Sequence, residues 1–208
     1  MPPVGPTLDG RLAWLLRQPV RSPSLTRGPD DPAERDADEV GLRAVAPDLA
    51  LPPAFRRFVE DLEPRRRVRS ATGCYLDLGQ FAVRVSDGDT LVHFLSDQQW
   101  VLHWLLYIGA DGAEAVVTTP EPLGFDDGET DPIHHLNPET WLGMLAVCAD
   151  SFEEFLYRYW AMNELFFALG PERVPVGSLP EELRLYAERY PRYRSSLDVF
   201  GSRDIARR

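Results

Sequence analysis

The chain has 208 residues, 44% hydrophobic and 11% aromatic, with 33 acidic against 22 basic side chains and a formal net charge of −11. That length suits one domain with appendages, and that hydrophobic content buries a core and excludes global disorder. All 22 cations are arginine; without lysine there is no Walker A loop, Schiff-base enzyme, protein kinase or lysine-dependent nuclease core, since each needs a compact amine.

Charge is unevenly placed. Residues 1–70 hold 12 Arg and 11 acids, whereas residues 71–208 hold 10 Arg and 22 acids, a balance of −12. An acidic field of that kind repels nucleic acid and attracts basic partners, and it also keeps a protein soluble. No stretch approaches the ~20 apolar residues of a membrane-spanning helix. The N-terminus lacks a charged segment followed by an apolar run, and two cysteines, Cys74 and Cys148, fit a reducing compartment. These features predict a soluble cytoplasmic protein with no membrane contact.

In chain order, DGRLAWLLRQ (9–18) predicts a short helix with Asp9 as its cap. Residues 19–40, rich in Pro, Asp, Arg and Ser, predict a loop or linker. LPPAFRRFVEDL (51–62) predicts an amphipathic helix, with Leu51, Phe55, Phe58, Val59 and Leu62 along one stripe and prolines at its start. PRRRVR (64–69) follows as a basic run, read either as a solvated loop or as an anion or nucleic-acid patch; no aromatic interleaves the arginines.

From about residue 73 the period becomes that of strands. FAVRV (81–85) and LVHFL (91–95) flank Asp87-Gly88, a strong hairpin signal. WVLHWLLYI (100–108) is apolar on both faces, as in a central strand, and EAVVTT (114–119) follows a GADG turn. CYLDL (74–78) is a further strand candidate, a long acidic loop follows at 119–140, and WLGMLAVCA (141–149) reads as a strand or the end of one. DSFEEFLYRYWAMNELFFALG (150–170) predicts the clearest helix: Ser151 and Glu154 form a capping box, Glu154 and Arg158 an i, i+4 pair, and Gly170-Pro171 a stop. LPEELRLYAERY (179–190) predicts a last amphipathic helix. The expected fold class is α+β, a single twisted, mostly antiparallel sheet with flanking helices. The expected organisation is an N-terminal helix and linker (1–45), a central domain (46–170) and a helical extension (171–208).

Chemistry-bearing residues are few. Asp126, Asp127, Glu129, Asp131, His134 and His135 form the densest polar cluster and offer oxygen and imidazole ligands. As a calcium loop starting at Asp127 the segment fails, because Pro132 stands where glycine is needed and Pro138 where a bidentate glutamate belongs. His93 and His103 lie in neighbouring strands and can approach one another, yet no partnering carboxylate is evident nearby. Neither cysteine has a base beside it in sequence.

Taken in order, LPPAFRRFV (51–59), FLSDQQWVLHWLLYIGADGAEAVV (94–117) and SFEEFL (151–156) resemble the SUKH superfamily: an opening helix, a sheet centre with an acid-and-glutamine corner, and a closing helix. The chain departs from the commoner family pattern in lacking a Gly-rich loop after the first helix and in its long 119–140 loop. The resemblance implies a compact α+β fold, no catalytic residues and no cofactor. It also implies a protein partner, since bacterial members are commonly immunity proteins that neutralise toxins, often nucleases, and fungal relatives regulate cell-wall assembly. An immunity protein of this charge would bind a basic toxin domain, with the Asp97-Gln98-Gln99 corner and Asp126, Asp127, Glu129 and Asp131 as contact residues. Alternatively, Asp97 caps its own turn. The competing expectation is a small metal- or carboxylate-dependent enzyme built on residues 126–135.

Overall fold

The computed structural model describes residues 8–25, 49–78, 82–85, 88–120, 133–135 and 143–189. The described residues fall into two compact units, Leu8–Phe155 and those from Leu156 onward.

The first unit is built on one sheet. Its strands are β1 (Tyr75–Leu76), β2 (Ala82–Arg84), β3 (Thr90–Ser96), β4 (His103–Ile108), β5 (Glu114–Thr119), β6 (Ile133–His135) and β7 (Ala146–Ala149). The spatial order is β6-β2-β3-β4-β5-β7, with β1 also paired to β3. Every pairing is antiparallel except β2 with β6. The expected α+β class, a mostly antiparallel sheet with helices against it, is therefore what the chain forms. As expected, the β2–β3 hairpin folds with Ala82 opposite Val92, and β4 occupies the sheet centre.

Helices α1 (Ala13–Leu16), α2 (Pro53–Glu60), α3 (Leu62–Arg65) and the first turn of α4 (Phe152–Leu169) complete this unit. One face of the sheet buries Phe94 among Phe55 of α2 and Phe152 and Phe155 of α4, with ring centroids 5.5–5.7 Å apart. Phe152 also meets Phe55 at 5.0 Å and Phe58 at 5.5 Å, mostly edge to face, the geometry aromatic quadrupoles favour. The opposite face carries Leu91, Leu105, Val117 and Val85, with Tyr107, Met144 and Leu145 packed against them. In α4 the Ser151 hydroxyl accepts from Glu154 N at 3.2 Å, as the capping box predicts, while the Glu154 carboxylate reaches back to Asp150 N at 3.0 Å.

Four sequence expectations are refined. The helix read over 51–62 breaks at Asp61, which is extended (φ −109°, ψ 122°) and caps α3 by accepting from Glu63 N. Pro64 is the cause: a continuous helix would need its missing N–H and would press its ring against the Glu60 carbonyl. Residues 100–102, read as strand, lie in a corner before β4. Within the loop read over 119–140, Ile133–His135 forms a strand. Residues 19–25, read as linker, run beside the end of α3, where Arg21 N and Leu25 N donate to the Arg66 and Val68 carbonyls at 2.8 Å.

The N-terminal segment is also tied to α4. Buried Glu153 accepts from Gly10 N at 2.6 Å, Leu12 N at 3.2 Å and Trp14 Nε1 at 3.1 Å. The second unit holds the rest of α4, a 3-10 turn (Val176–Ser178) and α5 (Glu181–Arg189). There Tyr157 packs on Trp160 and Tyr186, with centroids 6.1 Å apart in both pairs. Among the described residues, no helix is long and apolar enough to cross a membrane.

Candidate functional site

Between β3 and β4 the chain turns through Asp97–Leu102. Asp97 builds the turn almost alone. Its Oδ1 accepts from Val101 N at 2.7 Å and Leu102 N at 3.0 Å, and its Oδ2 from Gln99 N at 3.4 Å. Its backbone adds Asp97 N to Leu102 O and Trp100 N to Asp97 O. Trp100 pays with a left-handed backbone, φ +60°, a conformation that bulky residues avoid. Gln98 lies over Gly73, whose φ of +69° and missing Cβ make room for the Gln98 carboxamide. What remains outward is Gln98, Gln99 and Val101, the last 58% exposed.

Beneath the corner sits a buried polar cluster. Asp77 follows β1, His93 and Ser96 belong to β3, and His103 opens β4; all four are buried. Ser96 Oγ is the hub, 3.0 Å from Asp77 Oδ2, 2.8 Å from His93 Nε2 and 3.0 Å from His103 Nδ1. Carbonyl oxygens fix the imidazole tautomers. His93 Nε2 donates to Leu95 O and His103 Nε2 to Trp100 O, both at 3.2 Å. In the neutral His103 ring, Nδ1 is then an acceptor. The single Ser96 hydroxyl proton therefore faces two acceptors, the Asp77 carboxylate and His103 Nδ1.

The electrostatics follow from burial. Removal from water pushes His93 down to about 4, opposed by the Asp77 carboxylate, while the neighbouring His103 pushes it further down. Burial also lowers His103, against the Trp100 carbonyl and the Asp77 and Asp97 carboxylates. Both rings are thus neutral at physiological pH, edge to face with centroids 5.3 Å apart.

His93 Nε2 and Ser96 Oγ have the separation of a general base and a serine nucleophile. The rest of that arrangement differs. His93 Nδ1 lies 4.0 Å from Asp77 Oδ2, the serine proton faces Asp77 and His103 rather than His93, and Ser96 is fully enclosed. What these four side chains do chemically is hold protons at the base of a strained surface turn.

Comparison with protein-family models, curated proteins and solved structures found no match.

Of the residues singled out from sequence, Asp97, Gln98 and Gln99 stand together at the corner, with Asp97 turned inward onto backbone N–H groups. Asp126, Asp127, Glu129 and Asp131 lie outside the described residues. His134 and His135 are in β6, with Val83 and Arg84 as their backbone partners in β2. Among the described residues, no cluster of three or more His, Cys, Asp or Glu could hold a metal ion. Cys74 is buried, 3.1 Å from the Thr72 hydroxyl. The 64–69 arginines divide: Arg65 and Arg69 are buried, whereas Arg66 and Arg67 lie 3.6 and 2.8 Å from the Glu63 carboxylate.

His93 and His103 meet as their strand positions predict. Asp77 and Ser96 were the missing partners. The signal for Asp77 was a lone charge between Leu76 and Leu78 in an otherwise apolar strand, a position that requires a buried polar partner.

Proposed function

We propose that this chain is a non-catalytic protein-binding module of SUKH type, an immunity protein that acts in the cytoplasm on a basic toxin domain. The observation that carries this reading is the corner. Asp97 spends its carboxylate on the turn and so fixes Gln98, Gln99 and Val101 as an outward platform on rigid strands. Amides and an aliphatic group held in one conformation bind with little ordering cost, the property that separates a recognition surface from an ordinary loop.

Charge supports the same reading. The balance of −12 over residues 71–208 suits association with a cationic substrate cleft, steered at long range and weakened by salt. Asp126, Asp127, Glu129 and Asp131 belong to this acidic stretch and are proposed as contacts that raise the association rate. Nucleic acid is not the proposed partner, because Arg66 and Arg67 already face Glu63.

The test is protection of cells. The full chain, co-expressed with a toxin encoded by a flanking reading frame, should restore growth. The Gln98→Ala/Gln99→Ala/Val101→Asp variant should fold with an unchanged melting temperature yet fail to protect. Protection by that variant equal to wild type would remove the corner from the interface, and lack of protection by the wild-type chain would sink the immunity reading.

A further inference from the structure

The buried cluster and the corner above it share atoms. The Trp100 carbonyl that accepts from His103 Nε2 belongs to the one residue of the corner held at positive φ. The Trp100 ring also stands edge-on to the His103 ring, with centroids 5.3 Å apart.

We propose that the Asp77–His93–Ser96–His103 cluster is an acid-sensitive latch that keeps the Asp97–Leu102 corner closed at neutral pH and releases it when the two imidazoles take up protons. Burial of the two rings gives the reason. The ionisable groups facing the imidazoles include Asp77 just after β1, each imidazole toward the other from β3 and β4, and Asp97 from the corner. From β5, the residue paired with His103 is the uncharged Thr119. Asp97 is committed to three backbone N–H groups. Asp77 bears on both imidazoles and Asp97 on His103, and burial outweighs both carboxylates. A proton taken up by either ring leaves a cation in a water-free site, and that desolvation is relieved by exposing the rings.

Opening returns a histidine to its ordinary titration, so the open population grows as the pH falls below that range. For one imidazole that titrates at about 6.5 when open and about 4 when closed, the growth is on the order of a hundredfold by pH 4.5. The stages of the reaction are local. They require neither unfolding of the far end of the sheet nor a partner, and the proposal stands apart from the immunity reading.

Amide hydrogen exchange on the full chain, corrected for the intrinsic pH dependence of exchange, reads the latch directly. Protection of the Val101 and Leu102 amides should fall ten- to hundredfold between pH 7 and 4.5, while the Leu106 and Tyr107 amides of β4 keep theirs. The ring resonances of His93 should titrate only from the acid end of that interval downward, well below the ordinary histidine range. In His93→Gln/His103→Gln the corner's protection should no longer depend on pH; the wild-type ring titrations decide the matter if that variant does not fold. The latch is overturned by corner protection that stays constant to pH 4.5, by loss shared equally across the sheet, or by a wild-type His93 ring that titrates at its ordinary value.

Discussion

Lowering the pH from 7 to 4.5 protonates a histidine in the unfolded chain but leaves position 93 of the folded chain mostly neutral. Burial holds His93 at about 4, against an ordinary 6.5. Between those values the unfolded state binds more protons than the native state, so stability rises with pH across the window and is lost as pH falls through it. The full difference corresponds to about 3 kcal/mol, most of which has been lost by pH 4.5. Against a typical domain stability of about 5–15 kcal/mol that is a large fraction. Urea unfolding of wild type and His93→Gln at pH 7.5 and 4.5 isolates it, because the fixed cost of replacing the ring cancels between the two pH values. The stability gap between the two proteins should shift in favour of the variant by about 2–3 kcal/mol on acidification. Parallel pH profiles would instead place the native-state titration of His93 at its unfolded value.

Other consequences are local. Asp97→Ala removes the acceptor for Val101 N and Leu102 N and should cost about 1–2 kcal/mol, read as faster exchange at those two amides before any change in β4. Glu153→Leu leaves Gly10 N, Leu12 N and Trp14 Nε1 without their acceptor; a loss of about 2–4 kcal/mol in urea and new protease cleavage within residues 8–25 are expected. Phe152→Ala opens the centre of the aromatic cluster and should cost about 3–5 kcal/mol by the same assay. Burial and the nearby Glu153 raise the Glu114 carboxyl above its ordinary value, opposed by its bond from Phe152 N, so its charge is a liability at neutral pH. Glu114→Gln should therefore raise the melting temperature at pH 7 and lose that advantage near pH 4.

The sequence was most informative where structure is local. The stripe from Leu51 to Leu62 and the Ser151–Glu154 cap located two helices, and Asp87-Gly88 located the hairpin. Trp100 and Val101 were misassigned to a strand because their apolar side chains continue the pattern of β4; the Asp97 carboxylate captures the backbone N–H groups of Val101 and Leu102 and pulls them into a turn. Strand β6 was missed for a different reason. Its parallel pairing joins Ala82 to Ile133, and no turn signal announces a partner that far along the chain. The buried cluster depended on the same kind of information. Histidines 93 and 103 were visible as neighbours, but Asp77 reaches them only through the β1–β3 register, with Leu76 opposite Leu95.

Titration calorimetry tests whether the corner is a recognition surface for a protein. The full chain is titrated with the polypeptide encoded by a flanking reading frame, at two salt concentrations. A one-to-one complex of submicromolar affinity, weaker at high salt and weakened at least tenfold by Val101→Asp, is the predicted result. No heat of binding, or binding that ignores the substitution, would contradict it.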